Sequence, residues 1–291
     1  MQSWQDIQTT SKEGLRLYAR RYGDPLADGL PVVCLPGISR NSADFHELAE
    51  HLAAGGTRAV YALDYRGRGR SDYDPDWRNY DIRVELGDVL DTLVALQVSE
   101  AVFVGTSRGG LITMVTPMLR PGLVKGAVLN DIGPVIDGKG LARIKSYVGK
   151  MPMPRTFREG GEILRQVSGA QFPKADEATW TRYAERTWKD DGKGGLVLQY
   201  DSNLLKTLEN IDLEQPLPTL WPQFESLEHA PVLTVRGANS DILSQATAEE
   251  MTRRHPACAL HVVPDEGHAP LLADAPTLRR IAEFLVETEK L

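Results

Sequence analysis

The stretch "VFVGTSRGGL" (Val102 to Leu111) places Ser107 between Gly105 and Gly109, after apolar β-forming residues and before a helix-like segment. A serine at a strand-to-helix turn with glycine two residues away on each side has the pattern of a nucleophile elbow. Such a turn is so sharp that a side chain at either glycine would collide with a neighbouring element, and it exposes the serine hydroxyl. The spacing therefore predicts that Ser107 is a nucleophile.

A serine hydroxyl needs a neighbouring base, and the base needs a carboxylate that orients it and stabilises its charged form. His268 is the candidate base, because it follows the apolar run "LHVVPDEGH" and precedes the last helical segment. This puts it at the carboxyl end of the predicted sheet, where the elbow also opens.

Two residues are candidates for the acid. Asp241, in "VRGANSDIL", follows the penultimate strand, and its loop neighbours that of His268. Asp131, in "VLNDIGP", follows the strand that comes directly after the elbow helix. Because the base must be held within hydrogen-bond reach, the sequence favours Asp241 and keeps Asp131 as the alternative.

An acyl-transfer serine also needs donors aimed at the oxyanion that develops on the substrate. The backbone N–H of Arg108 follows the nucleophile at a helix N-terminus and provides one donor. The loop "PGISRN" after an early strand supplies the other, for which Ile38 is the candidate. The side chains of Ser39 and Arg40 in the same loop are equally compatible with capping the next helix.

These residues must be positioned by a sheet, and the chain contains a series of short apolar runs bounded by turn residues. The runs are "LRLYARRYG", "PVVCLPG", "RAVYALDYRG", "AVFVGTS", "GAVLNDIG", "PVLTVRG" and "LHVVPDEGH". Most are continuously apolar, which is typical of strands buried on both faces, and helix-period segments lie between them. The pattern predicts a mostly parallel α/β sheet with helices on both faces and an antiparallel hairpin formed by "IQTT" and "LRLYARRYG".

The alternation stops after "NDIGP", and the following stretch is rich in charge and helix-forming residues, with no strong strand signal. So long a segment cannot be a simple loop in a compact domain. We expect a helical cap over residues 134–227, inserted into a core formed by residues 1–133 and 228–291.

The chain has 291 residues, of which 42% are hydrophobic and 25% charged, with a net charge of −7. This composition is typical of a globular protein and argues against a general attraction to nucleic acid or to an anionic membrane. No signal peptide or membrane-spanning segment is evident, so a cytoplasmic monomer or homodimer is expected. Cys34 and Cys258 have neither a disulfide framework nor the paired spacing of a zinc site, and we expect no metal or organic cofactor.

Five segments together resemble the α/β-hydrolase fold family, specifically its cap-bearing serine hydrolases: "LPGISRNSADF", "LDYRGRGRSD", "GTSRGG", "RGANSDIL" and "GHAP". They occur in the family's order and span most of the chain. One departure is Pro36, which stands where many relatives have histidine before the oxyanion-loop glycine. Serine at position 107 differs from the aspartate of the epoxide hydrolases and haloalkane dehalogenases of this fold.

The resemblance implies an eight-stranded α/β-hydrolase sheet with a cap after the sixth strand. It also implies a carboxylic-ester hydrolase that cleaves a small or medium ester or lactone through an acyl-enzyme on Ser107. Three alternatives remain open: a carbon–carbon bond hydrolase, an iminopeptidase of the same fold, and a ligand-binding protein with slow turnover.

Overall fold

A computed structural model describes residues 3–209, 211–215 and 217–291 of the chain. Its strands are β1 (Gln5–Thr10), β2 (Arg16–Tyr22), β3 (Val32–Leu35), β4 (Val60–Asp64), β5 (Ala101–Thr106), β6 (Val124–Asn130), β7 (Trp188–Asp190), β8 (Leu196–Leu198), β9 (Val232–Gly237) and β10 (Cys258–Val263). Eight of them form one sheet in the order β1-β2-β4-β3-β5-β6-β9-β10. The first two form the predicted antiparallel hairpin, β2 is also antiparallel to β4, and the remaining pairs are parallel. The predicted α/β-hydrolase sheet is thus confirmed.

Helices cover the sheet and fill the connections. They are α1 (His46–Ala53), α2 (Ile82–Ala95), α3 (Arg108–Leu119), α4 (Gly138–Tyr147), α5 (Phe157–Ser168), α6 (Glu177–Thr187), α7 (Leu204–Glu209), α8 (Trp221–Glu225), α9 (Gln245–Arg254) and α10 (Ala275–Thr288). Short 3-10 helices lie at Ser42–Phe45 and Trp77–Asn79. Among the described residues, no helix combines the length and the apolar composition needed to cross a bilayer.

The central strands are buried on both faces, which explains their continuous apolar sequence. In β3, Val33 and Leu35 pack into one hydrophobic cluster, while Val32 and Cys34 pack into the cluster on the opposite face. Side chains alternate along a strand, so each apolar residue in the run has a core to enter. Burial on both faces therefore explains why these strands could be predicted from continuous apolar runs.

The segment between β6 and β9 contains α4 to α8, and residues 138–225 are here called the insertion. Its buried side chains, which include Phe172, Trp180 and Trp188, belong to the same hydrophobic cluster as one face of the sheet. It also contains a two-stranded ladder of β7 and β8 that the sequence pattern did not reveal. Strands of three residues are too short to show a period, which is why this hairpin was missed.

Polar contacts as well as this shared cluster join the insertion to the sheet domain. Arg186 of α6 forms an ion pair with Glu47 of α1, and Arg143 of α4 forms one with Asp241 in the loop after β9. The cap limits of 134–227 remain a prediction. Residues 1 and 2 of the predicted core, and residues 210 and 216 of the predicted cap, lie outside the described residues.

Candidate active site

Ser107 lies at the sharp turn between β5 and α3, with φ 52° and ψ −113°. A Cβ atom at Gly109 would lie 2.0 Å from the carbonyl oxygen of Leu35, and one at Gly105 would lie 2.5 Å from the backbone of Gly109. Both approaches are far below van der Waals contact and involve backbone atoms that cannot move away. The structure therefore shows a steric need for both glycines that flank Ser107.

His268, in the loop after β10, contacts the serine. Its Nε2 atom lies 3.0 Å from Ser107 Oγ, and its Nδ1 atom lies 2.8 Å from Asp131 Oδ2. The side chain of His268 is 6% exposed and that of Asp131 is fully buried. The three side chains form a continuous hydrogen-bonded chain from a carboxylate to a hydroxyl.

Asp131 directly follows β6, and further hydrogen bonds hold its carboxylate in place. Gly237 donates its backbone N–H to Oδ1 at 2.9 Å, and Ser240 donates its hydroxyl to Oδ2 at 2.5 Å. The backbone of Asp131 is left-handed, with φ 56°. A non-glycine residue in this conformation is strained, and here that conformation accompanies a carboxylate bonded to His268.

The structure corrects the preference for Asp241 as the partner of His268. Arg143 binds the Asp241 carboxylate through two hydrogen bonds, from Nε at 2.7 Å and from Nη2 at 2.9 Å. Burial raises the pKa of Asp241, but the hydrogen bonds from Arg143 and Gln171 and the charges of Arg143 and His268 outweigh it, so the pKa falls below 3.8.

The reason for the difference lies in where each strand ends. Asp131 is the first residue after β6, so its carboxylate stays at the carboxyl end of the sheet beside His268. Asp241 lies four residues beyond the last residue of β9, Gly237, and its side chain meets the insertion instead. The loop after β9 contributes the hydroxyl of Ser240, which donates to Asp131.

The two expected oxyanion donors lie on either side of Ser107. Arg108 is the first residue of α3, where a helix leaves backbone N–H groups without an intrahelical partner. Ile38 lies in the loop after β3 and lines the same cavity as Ser107 and His268. In the part of the chain that the structure describes, the N–H of Ile38 is not hydrogen-bonded to another residue.

This cavity, of about 70 Å³, lies between the sheet domain and the insertion. The loop of Ile38 and the loop of His268 form one side of it, and Ile144, Tyr147 and Tyr183 of the insertion form the other. A smaller cavity of about 40 Å³ shares several lining residues with the first and extends into the insertion. The serine hydroxyl therefore faces a partly open cavity whose far wall belongs to the insertion.

Comparison with known proteins places this arrangement in a family. Residues 32–280 match the sequence model of the alpha/beta hydrolase family. The chain belongs to this family.

One relative and one solved structure match almost the whole chain. It is 34% identical to the 3-hydroxybutyrate-oligomer hydrolase of Cupriavidus necator over 287 residues, which is 96% of each protein. The crystal structure of an alpha/beta hydrolase from Novosphingobium aromaticivorans superposes with a TM-score of 0.91 at 36% identity, over 98% of this chain and 99% of that one. A more distant relative is the 2-(acetamidomethylene)succinate hydrolase of Mesorhizobium japonicum, 25% identical over 86% of this chain and 85% of that protein.

In this alpha/beta hydrolase a buried carboxylate links the two sides of the elbow. Glu85 of α2 is fully buried, and its two oxygens lie 2.6 Å from Arg68 Nη1 and 2.5 Å from Arg108 Nε. Arg68 also donates from Nε to the carbonyl oxygen of Ile38 at 2.8 Å. One carboxylate thus holds, directly or through one arginine, both residues that carry the expected oxyanion donors.

Sequence reasoning missed this role of Glu85, although a signal was present. Ile82, Leu86 and Val89 form the apolar stripe of α2, and Glu85 lies on the same stripe, three residues from Ile82 and four from Val89. A carboxylate on the buried side of a helix requires a buried partner. The partners lie in distant segments, so the sequence alone does not identify them.

A second carboxyl group, that of Glu266, lies in the loop that carries His268. Burial raises the pKa of Glu266 to about 7, and the negative charge of Asp274 acts in the same direction. The backbone N–H of Leu271, which donates to Glu266 at 2.8 Å, opposes this shift. The folded protein therefore takes up a proton here at a higher pH than the unfolded chain does.

We expect Glu266 to make folding stability depend on pH between about 4.5 and about 7. A raised pKa in the folded state means that this contribution is fully present below the unfolded value and is lost as pH rises through the folded value. The change is on the order of 3 kcal/mol, and Glu266→Gln should remove it. Urea unfolding of both proteins from pH 4 to pH 8 measures the difference, with the exposed Glu283→Gln variant as control. Parallel curves for the wild type and Glu266→Gln would contradict this assignment.

Proposed function

We propose that this alpha/beta hydrolase cleaves a carboxylic ester through an acyl-enzyme on Ser107. His268 is the general base and Asp131 the acid of the triad. The observation that supports the proposal is the hydrogen-bonded chain of these residues, with 3.0 Å from serine to histidine and 2.8 Å from histidine to aspartate. Nucleophile and base are thus within the distance that proton transfer needs.

The reaction begins when Ser107 Oγ attacks the carbonyl carbon of the ester and His268 Nε2 takes the serine proton. The carbonyl oxygen becomes an oxyanion, which the backbone N–H groups of Ile38 and Arg108 bind. The tetrahedral intermediate collapses, the bond to the leaving alcohol breaks, and His268 returns its proton to that alcohol. Water, deprotonated by His268, then attacks the acyl-enzyme and releases the acid.

Asp131 acts on the base rather than on the substrate. Its carboxylate accepts from Nδ1 of His268, which leaves Nε2 free to accept the serine proton, and its negative charge stabilises the imidazolium that forms. The donors of Gly237 and Ser240 keep this carboxylate oriented. In this proposal, Asp241 stabilises the contact between the sheet domain and the insertion through its ion pair with Arg143.

The relatives support ester chemistry. The 3-hydroxybutyrate-oligomer hydrolase of Cupriavidus necator aligns along almost the entire chain, and units of a hydroxy acid are joined by ester bonds. We also propose that residues 134–227 form a cap that closes over Ser107, since Tyr147 and Tyr183 of this segment line its cavity. The cap then determines which esters reach the serine.

Replacing Ser107 tests the function as a whole. Ser107→Ala should lower kcat for p-nitrophenyl butyrate by about 10⁴-fold or more, because the nucleophile is lost. The measurement is p-nitrophenol release, with circular dichroism as a check that the variant folds. A phosphonate ester should add its mass to the wild type and not to the variant. Turnover that persists in Ser107→Ala would overturn the acyl-enzyme proposal.

The assignment of the acid is tested by a matched pair of variants. Asp131→Asn should lower kcat/KM by about 10³- to 10⁴-fold, because the neutral amide neither stabilises the imidazolium nor holds the required tautomer. Asp241→Asn changes a carboxylate that is bonded to Arg143 and should lower kcat/KM by about tenfold or less. The same p-nitrophenyl butyrate assay measures both. The opposite order of effects would assign the acid to Asp241.

Glu85 is expected to act as a positioning residue for the oxyanion donors. Glu85→Gln should lower kcat about ten- to a hundredfold with a smaller change in KM, because donors that shift bind the transition state less well. Asp88→Asn is the control: Asp88 lies on the same helix and forms a buried ion pair with Arg66 at 2.6 Å. It should reduce the free energy of unfolding comparably and leave kcat within about twofold. Equal loss of kcat in both variants would contradict a specific role for Glu85.

A further inference from the structure

The cavity above Ser107 has a polar wall opposite the triad. Arg40 of the oxyanion loop and two tyrosines of the insertion, Tyr147 and Tyr183, line both connected cavities together with His268. Within the described residues, neither tyrosine hydroxyl forms a hydrogen bond with the protein. Two hydroxyls without a protein partner and a guanidinium thus lie around one space beside Ser107, and Asp44, the carboxylate paired with Arg40, lines the first cavity as well.

Arg40 is held in one position but retains unused donors. Its Nε and Nη2 atoms bind Asp44, at 2.7 and 2.5 Å, and Nη1 donates to Thr187 Oγ1 at 2.7 Å. The guanidinium carbon lies over the ring of Tyr183, 3.9 Å from its centre. Of the five N–H groups of an arginine, these contacts take three. The remaining two, one on Nη1 and one on Nη2, are not bonded to the described residues.

The two hydroxyls are also suited to donate to an anion. Burial and the neighbouring Tyr183 raise the pKa of Tyr147 to about 12, while the charges of Arg143 and Arg40 oppose this shift. The phenol therefore keeps its proton at neutral pH. A second guanidinium, that of Arg143, lies 6.0 Å from the centre of the Tyr147 ring. Its positive charge is offset by the ion pair that it forms with Asp241.

We propose that Arg40, Tyr147 and Tyr183 form a subsite for a carboxylate group of the substrate, so that the preferred substrates are esters of hydroxy acids that carry a free carboxylate. This inference rests on the proposed function and narrows it. Arginine and phenol donors match the planar, acceptor-only carboxylate, and charge-assisted hydrogen bonds are the strong ones. Binding the carboxylate here would place the ester carbonyl, a few bonds away, against Ile38 of the same loop.

Two relatives act on compounds named for carboxylic acids. One is a 3-hydroxybutyrate-oligomer hydrolase and the other a 2-(acetamidomethylene)succinate hydrolase. Both names describe substrates in which a carboxylate and the bond to be cleaved belong to one small molecule. This agreement supports a carboxylate subsite close to the nucleophile.

The test uses tyrosine variants because replacing Arg40 would leave the half-buried Asp44 without its partner. Tyr147→Phe and Tyr183→Phe remove only hydroxyls that lack a protein partner, so both variants should fold normally. The substrates are the linear dimer of 3-hydroxybutyrate and the same dimer with its carboxylate capped as a primary amide. Chromatography of the released 3-hydroxybutyrate gives kcat/KM for each. Tyr73→Phe, which does not line this cavity, is the control.

The wild type and Tyr73→Phe should prefer the free acid over the amide by about tenfold or more in kcat/KM. Each variant in the cavity should reduce this preference about tenfold, mainly through KM for the acid, since a hydrogen bond to a charged group is lost. Equal rates on acid and amide in the wild type would overturn the subsite. An equal slowing of both substrates by the cavity variants would also overturn it.

Failure of the subsite and failure of the proposed function give different results. Serine-dependent hydrolysis of p-nitrophenyl butyrate without preference for the acid dimer would reject only the subsite. If no ester is hydrolysed in a Ser107-dependent manner, calorimetric binding of the two dimers to Ser107→Ala still tests the subsite. Tighter binding of the acid, weakened about tenfold by adding Tyr147→Phe, would support it, and equal binding would reject it.

Discussion

The close approach of helix α3 to strand β3 is the constraint on which the active site depends. Gly109 lies against the carbonyl oxygen of Leu35, where a Cβ atom would come within 2.0 Å. Leu35 is the last residue of β3, so the loop that carries Ile38 starts at the point where the helix makes its contact. The packing that exposes Ser107 therefore also brings the loop of Ile38 beside it.

A network of buried ion pairs also supports this contact. Arg66 and Arg68 follow β4 and are almost completely buried, with carboxylates of α2 as partners. Breaking a buried pair leaves an uncompensated charge, so such a network favours one arrangement of its loops over others. Through Glu85 and Arg108 the network reaches the first turn of α3. The elbow is thus held both by the close contact of Gly109 with Leu35 and by the buried ion pairs of Glu85 with Arg68 and Arg108.

The parts of this arrangement that could be predicted from the sequence are those with a local cause, because a local cause leaves a pattern in neighbouring residues. The central strands β3, β4, β5, β6 and β9 show as apolar runs because both of their faces are buried, and the glycine spacing around Ser107 has a steric origin. The choice between Asp131 and Asp241 had no such pattern, because it depends on how far each residue lies beyond its strand. Glu85 could not be assigned because Arg68 and Arg108 come from separate segments. Strands β7 and β8 have three residues each, which is too short for their sequence to show a period.

The seam between the insertion and the sheet domain has a consequence for how substrate enters. Around the cavity it includes Arg186 with Glu47, Arg143 with Asp241, and Arg40 with Thr187. When such a seam opens, water can solvate each separated polar group, which makes the net cost much smaller than the loss of the direct contacts suggests. Dissolved ions compete for the same charges. Ionic strength is therefore a physical variable that acts on the polar contacts beside the cavity of Ser107, while the apolar contacts of the same junction do not respond to it.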